Sequence, residues 1–173
     1  MRLFLGFKVK GDLKWISHIE YIRLFERMFK RVDMNILYSR GFNPHPKIKL
    51  PVPKSIGIES EAEYCEFECD HDDEQIKRVM KELIKLMNKN WIDIFKYVIV
   101  KEGEKALSKR IDFIKYRFYG IIGVPEIVKD FKGVIEYDLK DDMLEMKVER
   151  DFSFSKFSRE FDFKSVDREI ILK

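Results

Sequence analysis

The chain has 173 residues, 45% of them hydrophobic, and a formal net charge of +3; that length can bury a core without disulfide staples, and no apolar run approaches the roughly 20 residues of a membrane span. The only cysteines, Cys65 and Cys69, are four apart in a segment that alternates like a strand, so about 13 Å separates them and they suit neither a disulfide nor a shared metal ion. Lys8 interrupts the N-terminal apolar run too early for a signal sequence, and the expectation is a cytoplasmic globular protein with two reduced thiols in its core.

Residues 2–10 place Leu3, Leu5, Phe7 and Val9 on one face at period two, which predicts a strand. After a turn, Ser17 and Glu20 fit a capping box, and a helix follows from His18 to about Val32. It buries Ile22, Phe25, Phe29 and Val32 and shows Arg23, Arg27 and Lys30 on another face. Gly41, Pro44 and Pro46 force irregular backbone before a strand over 47–52, where Ile48, Leu50 and Val52 alternate with Lys47 and Lys49. A turn at Ile56-Gly57 leads to a strand over 63–70, with Cys65, Phe67 and Cys69 inward and Glu66 and Glu68 outward. Asp72 caps a second helix carrying Ile76, Val79, Met80, Leu83, Leu86 and Met87 on its apolar side, and 91–100 reads as a fourth strand.

That order is strand, helix, strand, strand, helix, strand, the pattern of a ferredoxin-like unit. The charged stretch 101–109, with Gly103, suits a domain boundary. Beyond it come a strand over 111–119, a short helix that Pro125 opens and Gly133 stops, a hairpin over 134–139 and 143–150, a short helix over 154–161 and a last strand over 163–172. The fold expected is therefore α+β: two ferredoxin-like βαββαβ units with antiparallel sheets and helices on one face, the first spanning 1–102 and carrying the motif loop, the second and shorter spanning 109–173. No residue-level repeat supports the duplication, which rests on element order alone.

Charge is segregated along the chain. Residues 34–58 contain no carboxylate but hold Arg40, Lys47, Lys49 and Lys54, whereas 59–74 hold nine carboxylates and no Lys or Arg. Adjacent strands would let some of these charges pair. In the basic window, Tyr38, Phe42, Asn43 and His45 are interleaved with the cations, a mixture suited to phosphate contacts plus base stacking. No phosphate loop, nucleophile elbow or zinc spacing is present, so neither cofactor nor metal is expected. Of the three histidines, His71 lies at a strand end. His18 stands at the first position of a helix, where amides bind anions and an imidazole stays neutral; it suits a phosphate contact or a general base, and equally a simple bond to a loop carbonyl. His45, fixed between two prolines, is presented at low entropic cost.

Three segments together resemble the radical-SAM-linked domain proteins, a bacterial family of uncharacterised function: Lys10-Gly11-Asp12-Leu13-Lys14-Trp15-Ile16-Ser17-His18-Ile19-Glu20, then Tyr38-Ser39-Arg40-Gly41-Phe42-Asn43-Pro44-His45-Pro46-Lys47-Ile48, then Gly57-Ile58-Glu59-Ser60-Glu61-Ala62-Glu63-Tyr64. The resemblance implies a helper role beside a radical SAM enzyme, with an RNA as the substrate to be recognised. Two cysteines cannot form the C-x-x-x-C-x-x-C triad of such an enzyme, so a separate polypeptide would supply the cluster. The function expected is an RNA-binding accessory protein: Arg40, Lys47 and Lys49 on phosphates, His18 on another phosphate, and Tyr38, Phe42, Asn43 and His45 on bases. The alternatives are a metal-independent endoribonuclease resembling the CRISPR repeat-processing nucleases, with His18 or His45 activating a ribose hydroxyl, and a protein-interaction module that docks on a radical SAM partner.

Overall fold

In the computed structural model, residues 1–89, 92–122, 128–160 and 162–173 are described. Strand β1 (Arg2–Val9) leads through a short 3-10 turn (Gly11–Trp15) into helix α1 (His18–Arg31), β2 (Ile48–Lys49), β3 (Glu59–Glu68), helix α2 (Asp73–Asn88) and β4 (Ile92–Val100). Then come β5 (Ile111–Tyr119), β6 (Val134–Lys140), β7 (Met143–Val148), the four-residue helix α3 (Phe154–Phe157) and β8 (Ser165–Leu172). Trp91, Pro125 and Phe161, which the sequence reading places in a strand and two short helices, lie outside the described residues.

Local chemistry sets the helix starts. The Ser17 hydroxyl accepts the Glu20 amide at 3.3 Å while the Glu20 carboxylate accepts the Ser17 amide at 2.6 Å, and Asp72 and Gln75 make the same reciprocal box at α2. Both satisfy amides that the first helical turn cannot. The apolar faces of α1 and α2 then close over Leu3, Leu5, Phe7 and Val9 of β1, Cys65 and Phe67 of β3, and Ile92 and Ile94 of β4. Cys65 and Cys69 are free and buried. A second cluster joins Phe4, Tyr64 and Val100 to Ile114, Tyr116, Phe118, Leu144, Met146, Phe157 and Ile170, so apolar contacts run across the whole molecule.

The strand pairing overturns the expectation of two ferredoxin-like units with purely antiparallel sheets. All eight strands form one mixed sheet in the order β4-β1-β3-β8-β5-β7-β6, with β2 also on β3. At its centre β3 and β8 are parallel, Glu59 opposite Asp167, Ser60 opposite Arg168 and Ala62 opposite Glu169. The physical cause lies in β2. The strand expected over 47–52 shrinks to two residues, which cover β3 only at Phe67 and Glu66. The remaining edge of β3 exposes backbone donors and acceptors that need partners, and β8 supplies them. As an interior strand, β3 is covered on both faces: Glu66, expected to point outward, is buried and its carboxylate accepts the Leu107 amide at 2.7 Å.

Beside the parallel joint lies Arg168, which is fully buried. Its Nε and Nη2 donate to the two Glu63 carboxylate oxygens at 2.5 and 2.8 Å, and Nη1 and Nη2 donate to the Pro53 and Val52 carbonyls at 3.0 and 3.4 Å. Ser60 Oγ donates to the Arg168 carbonyl at 3.1 Å. A forked pair with its remaining donors satisfied is the geometry in which a buried charge pair is tolerated. Arg168→Met strands the Glu63 carboxylate and should cost about 3–5 kcal/mol in urea denaturation, and adding Glu63→Leu should recover most of that loss. A double variant as unstable as the single one would show that the pair, rather than an orphaned charge, holds the joint.

Candidate nucleic-acid interface

The proline-rich segment after α1 is built as a hook. Asp33, at φ 55°, turns the chain off the helix, and the Met34 amide donates back to the Phe29 carbonyl at 2.9 Å. Two legs then run together. The Leu37 amide donates to Glu68 O at 2.9 Å, the Lys47 amide to Leu37 O at 2.8 Å and the Ser39 amide to His45 O at 2.8 Å. The His45 amide closes the set on Ser39 Oγ at 2.9 Å. Only residues 40–44 are left as a tip, turned by Gly41 at φ +133° with nothing within 4 Å of the Cβ it lacks.

At that tip Phe42 is 100% exposed, and Arg40, Asn43 and His45 are exposed beside it. Tyr38 leans the hook onto α1, its hydroxyl donating to Glu26 Oε1 at 2.9 Å, where Lys30 also donates at 2.8 Å. The two donors hold the Glu26 carboxyl below its ordinary range, Lys30 contributing most. Arg23 and Arg27, one turn apart on α1, are exposed and continue a cationic stripe along the helix that braces the hook. Lys49 is exposed, and neither it nor Arg40 has an ion pair among the described residues. Lys47 is committed to Glu68 at 2.6 Å.

His18 belongs elsewhere. Tyr38 meets α1 at Glu26, eight residues and about 12 Å along the axis from His18. The His18 ring is half-buried against a cavity of about 10 Å³ shared with Tyr21, Leu50, Val52, Lys54 and Glu63. Burial, and then the Arg168 guanidinium, lower its pKa. Tyr38, Arg40, Phe42, Asn43 and His45 are thus brought together, with Lys47 and Lys49 at the base of one leg, while His18 is set apart. His71 Nε2 accepts the Asn35 amide at 3.0 Å.

Lys54, one of the four cations of the basic window, is buried. Its ammonium donates to the carbonyls of Lys14, Ser55 and Ile58 at 3.0 to 3.1 Å, and burial with the nearby Arg168 charge lowers its pKa to about 8. Tyr21 completes this cluster, its hydroxyl donating to the Leu13 carbonyl at 2.5 Å, its pKa raised by burial and then by Glu63. Nothing local marked these residues, since Glu63 and Arg168 meet across 105 positions. Among the described residues no group of three or more His, Cys, Asp or Glu could hold a metal ion, and no helix is long and apolar enough to cross a membrane.

Because the folded imidazole of His18 is depressed below its ordinary 6.5, the unfolded chain binds more protons just below that value. The stabilisation is therefore complete above pH 6.5 and is lost as pH falls toward the folded pKa. Urea midpoints at about pH 7.5 and 5.5 should differ less in His18→Gln than in the wild type, and an equal difference would detach His18 from the buried cluster.

Residues 2–171 match a family described as an uncharacterised protein conserved in bacteria, DUF2344. No curated protein matches the sequence. With the match spanning nearly the whole chain, from the first strand through the hook and helices α1 and α2 into β8, the chain belongs to the DUF2344 family.

Proposed function

We propose that the protein binds RNA through the hook and the adjoining stripe of α1, and that it positions this RNA for a separate radical SAM enzyme. The observation that carries the reading is the wholly exposed Phe42 ring on a tip whose legs are locked by backbone hydrogen bonds. Burying an aromatic ring is among the larger apolar gains open to a chain. A ring held out in water is a platform awaiting a planar partner, and every nucleobase presents one.

The charges around the ring agree with that partner. Arg40 and Lys49 are free to meet phosphates, Arg23 and Arg27 extend the cationic path along α1, and Asn43 and His45 offer hydrogen bonds to base edges or ribose hydroxyls. Lys47 spends its charge on Glu68 and serves the hook's base instead. The radical SAM half of the proposal is supported by the three resembling segments, and with only Cys65 and Cys69 in the chain the iron–sulfur ligands would come from the partner.

Phe42→Ala should weaken binding of a single-stranded RNA oligonucleotide by about 1–3 kcal/mol, the worth of one stacked base. Arg40→Glu with Lys49→Glu should weaken it further and flatten the dependence of log K on log salt by about 0.7 for each lost phosphate contact. Gel shifts in EDTA across a salt series read both, with the RNA recovered intact. Binding unchanged in all of these variants would remove the hook from RNA recognition, and RNA cut in a His18-dependent manner would replace the accessory reading with a nuclease.

A further inference from the structure

A second surface, away from the hook, has the makings of a base pocket. The 3-10 turn before α1, the end of β5 and the start of β8 line an open cleft of about 470 Å³, within the range of small-ligand sites. One wall is Trp15, 60% exposed. The indole is held from beneath: Gly57, at φ +86°, lies so close that a Cβ there would sit 3.2 Å from Trp15 Cζ3. The Gly57 amide and the buried Lys54 ammonium both donate to the Lys14 carbonyl, at 2.8 and 3.0 Å. Any side chain at Gly57 would strain the backbone and push on the ring. Tyr119 also lines the cleft, 37% exposed, its hydroxyl donating to Asp167 Oδ2 at 2.8 Å.

Polar groups complete the lining. Lys14 Nζ lies 5.6 Å from the Trp15 ring centroid and 3.3 Å from Glu59 Oε1, and Lys164 also lines the cleft. Glu59 and Asp167 face each other in the β3–β8 register. We propose that this cavity binds a nucleobase bearing an exocyclic amino group, stacked on Trp15. The amino group donates to Glu59 or Asp167, as carboxylates accept from such groups on base edges, and Lys164, which has no ion pair among the described residues, neutralises the attached phosphate. The same chemistry serves a free nucleotide or one unit of an RNA chain. Only in the second case does the inference rest on the RNA reading.

Trp15 reports its own occupancy. In a Trp91→Phe background, AMP and CMP should quench its fluorescence saturably and UMP should bind several-fold more weakly. The Trp15 indole N–H resonance of the unsubstituted protein gives a second readout. Lys164→Glu and Tyr119→Ala, at unchanged melting temperature, should each weaken AMP binding at least fivefold. Quenching by an RNA oligonucleotide that AMP displaces identifies the chain as the source of the base, and quenching by AMP alone identifies the free nucleotide. No saturable response to AMP, CMP or RNA, equal affinity for UMP, or binding untouched by both substitutions overturns the proposal. A hook-dependent gel shift without any Trp15 response defeats the cavity and leaves the hook standing; AMP quenching with hook variants that bind RNA normally does the reverse.

Discussion

The forked contact between Arg168 and Glu63 is the constraint on which the remaining structure leans. It sits beside the one parallel ladder among the described residues, where β8 completes the edge that a two-residue β2 leaves open, and so it fixes how the C-terminal strands attach to the N-terminal ones. Its two charges also set the environment of their neighbours. The Arg168 guanidinium lowers the pKa of both His18 and Lys54 after burial has done so first. Lys54 in turn ties three carbonyls of the Lys14 and 55–58 turns into one unit. A charge placed in a dry interior is stable only when fully partnered, and here the partnering reaches from β8 to the turn that carries Trp15.

The segregation of charge in the chain resolves through that sheet. Glu59 pairs with Lys14, Glu61 with Lys8 and Lys10, Glu63 with Arg168, Glu66 with Arg2 and Glu68 with Lys47. Five carboxylates of the acidic block are thus answered by cations from outside it, largely across neighbouring strands. The consequence appears at the surface. With Lys47 paired and Lys54 buried, the positive charge left uncommitted in the basic window is Arg40 at the tip and Lys49 at its base, beside Arg23 and Arg27 of α1. A modest net charge of +3 becomes a local field because the strand part of the acidic block, Glu59 to Glu68, is neutralised where it lies.

What was legible in the sequence was what the chain settles within a few residues. The Ser17–Glu20 box, the Asp72 cap and the apolar faces of α1 and α2 involve partners three or four positions apart, and periodicity reports them directly. The hook was legible too, because two prolines and a glycine in six residues force irregular backbone whatever surrounds them. The joint of β3 and β8 was not. A strand's alternation tells which face is oily but carries no mark of which strand will lie at its edge, so the same pattern fitted two separate sheets and one continuous sheet alike. The burial of Lys54 was not legible for the related reason that nothing in its own neighbourhood announces the Lys14, Ser55 and Ile58 carbonyls that take its ammonium.

The hook's backbone accounting bears on how it would recognise anything. Free loops lose about 1–2 kcal/mol per residue on being ordered by a ligand, and that loss is set against every contact they form. Here the legs are ordered before binding, by hydrogen bonds that involve Leu37, Ser39, His45 and Lys47 and by the Tyr38 hydroxyl on Glu26. Only the residues from Arg40 to Pro44 remain to be ordered, and Pro44 is already restricted in φ. Legs ordered beforehand convert more of each stacking or phosphate contact into affinity. They also fix where the tip that carries Phe42 stands relative to the Arg23 and Arg27 stripe, and a fixed placement is the property a protein needs if its task is to hold a flexible strand in one orientation.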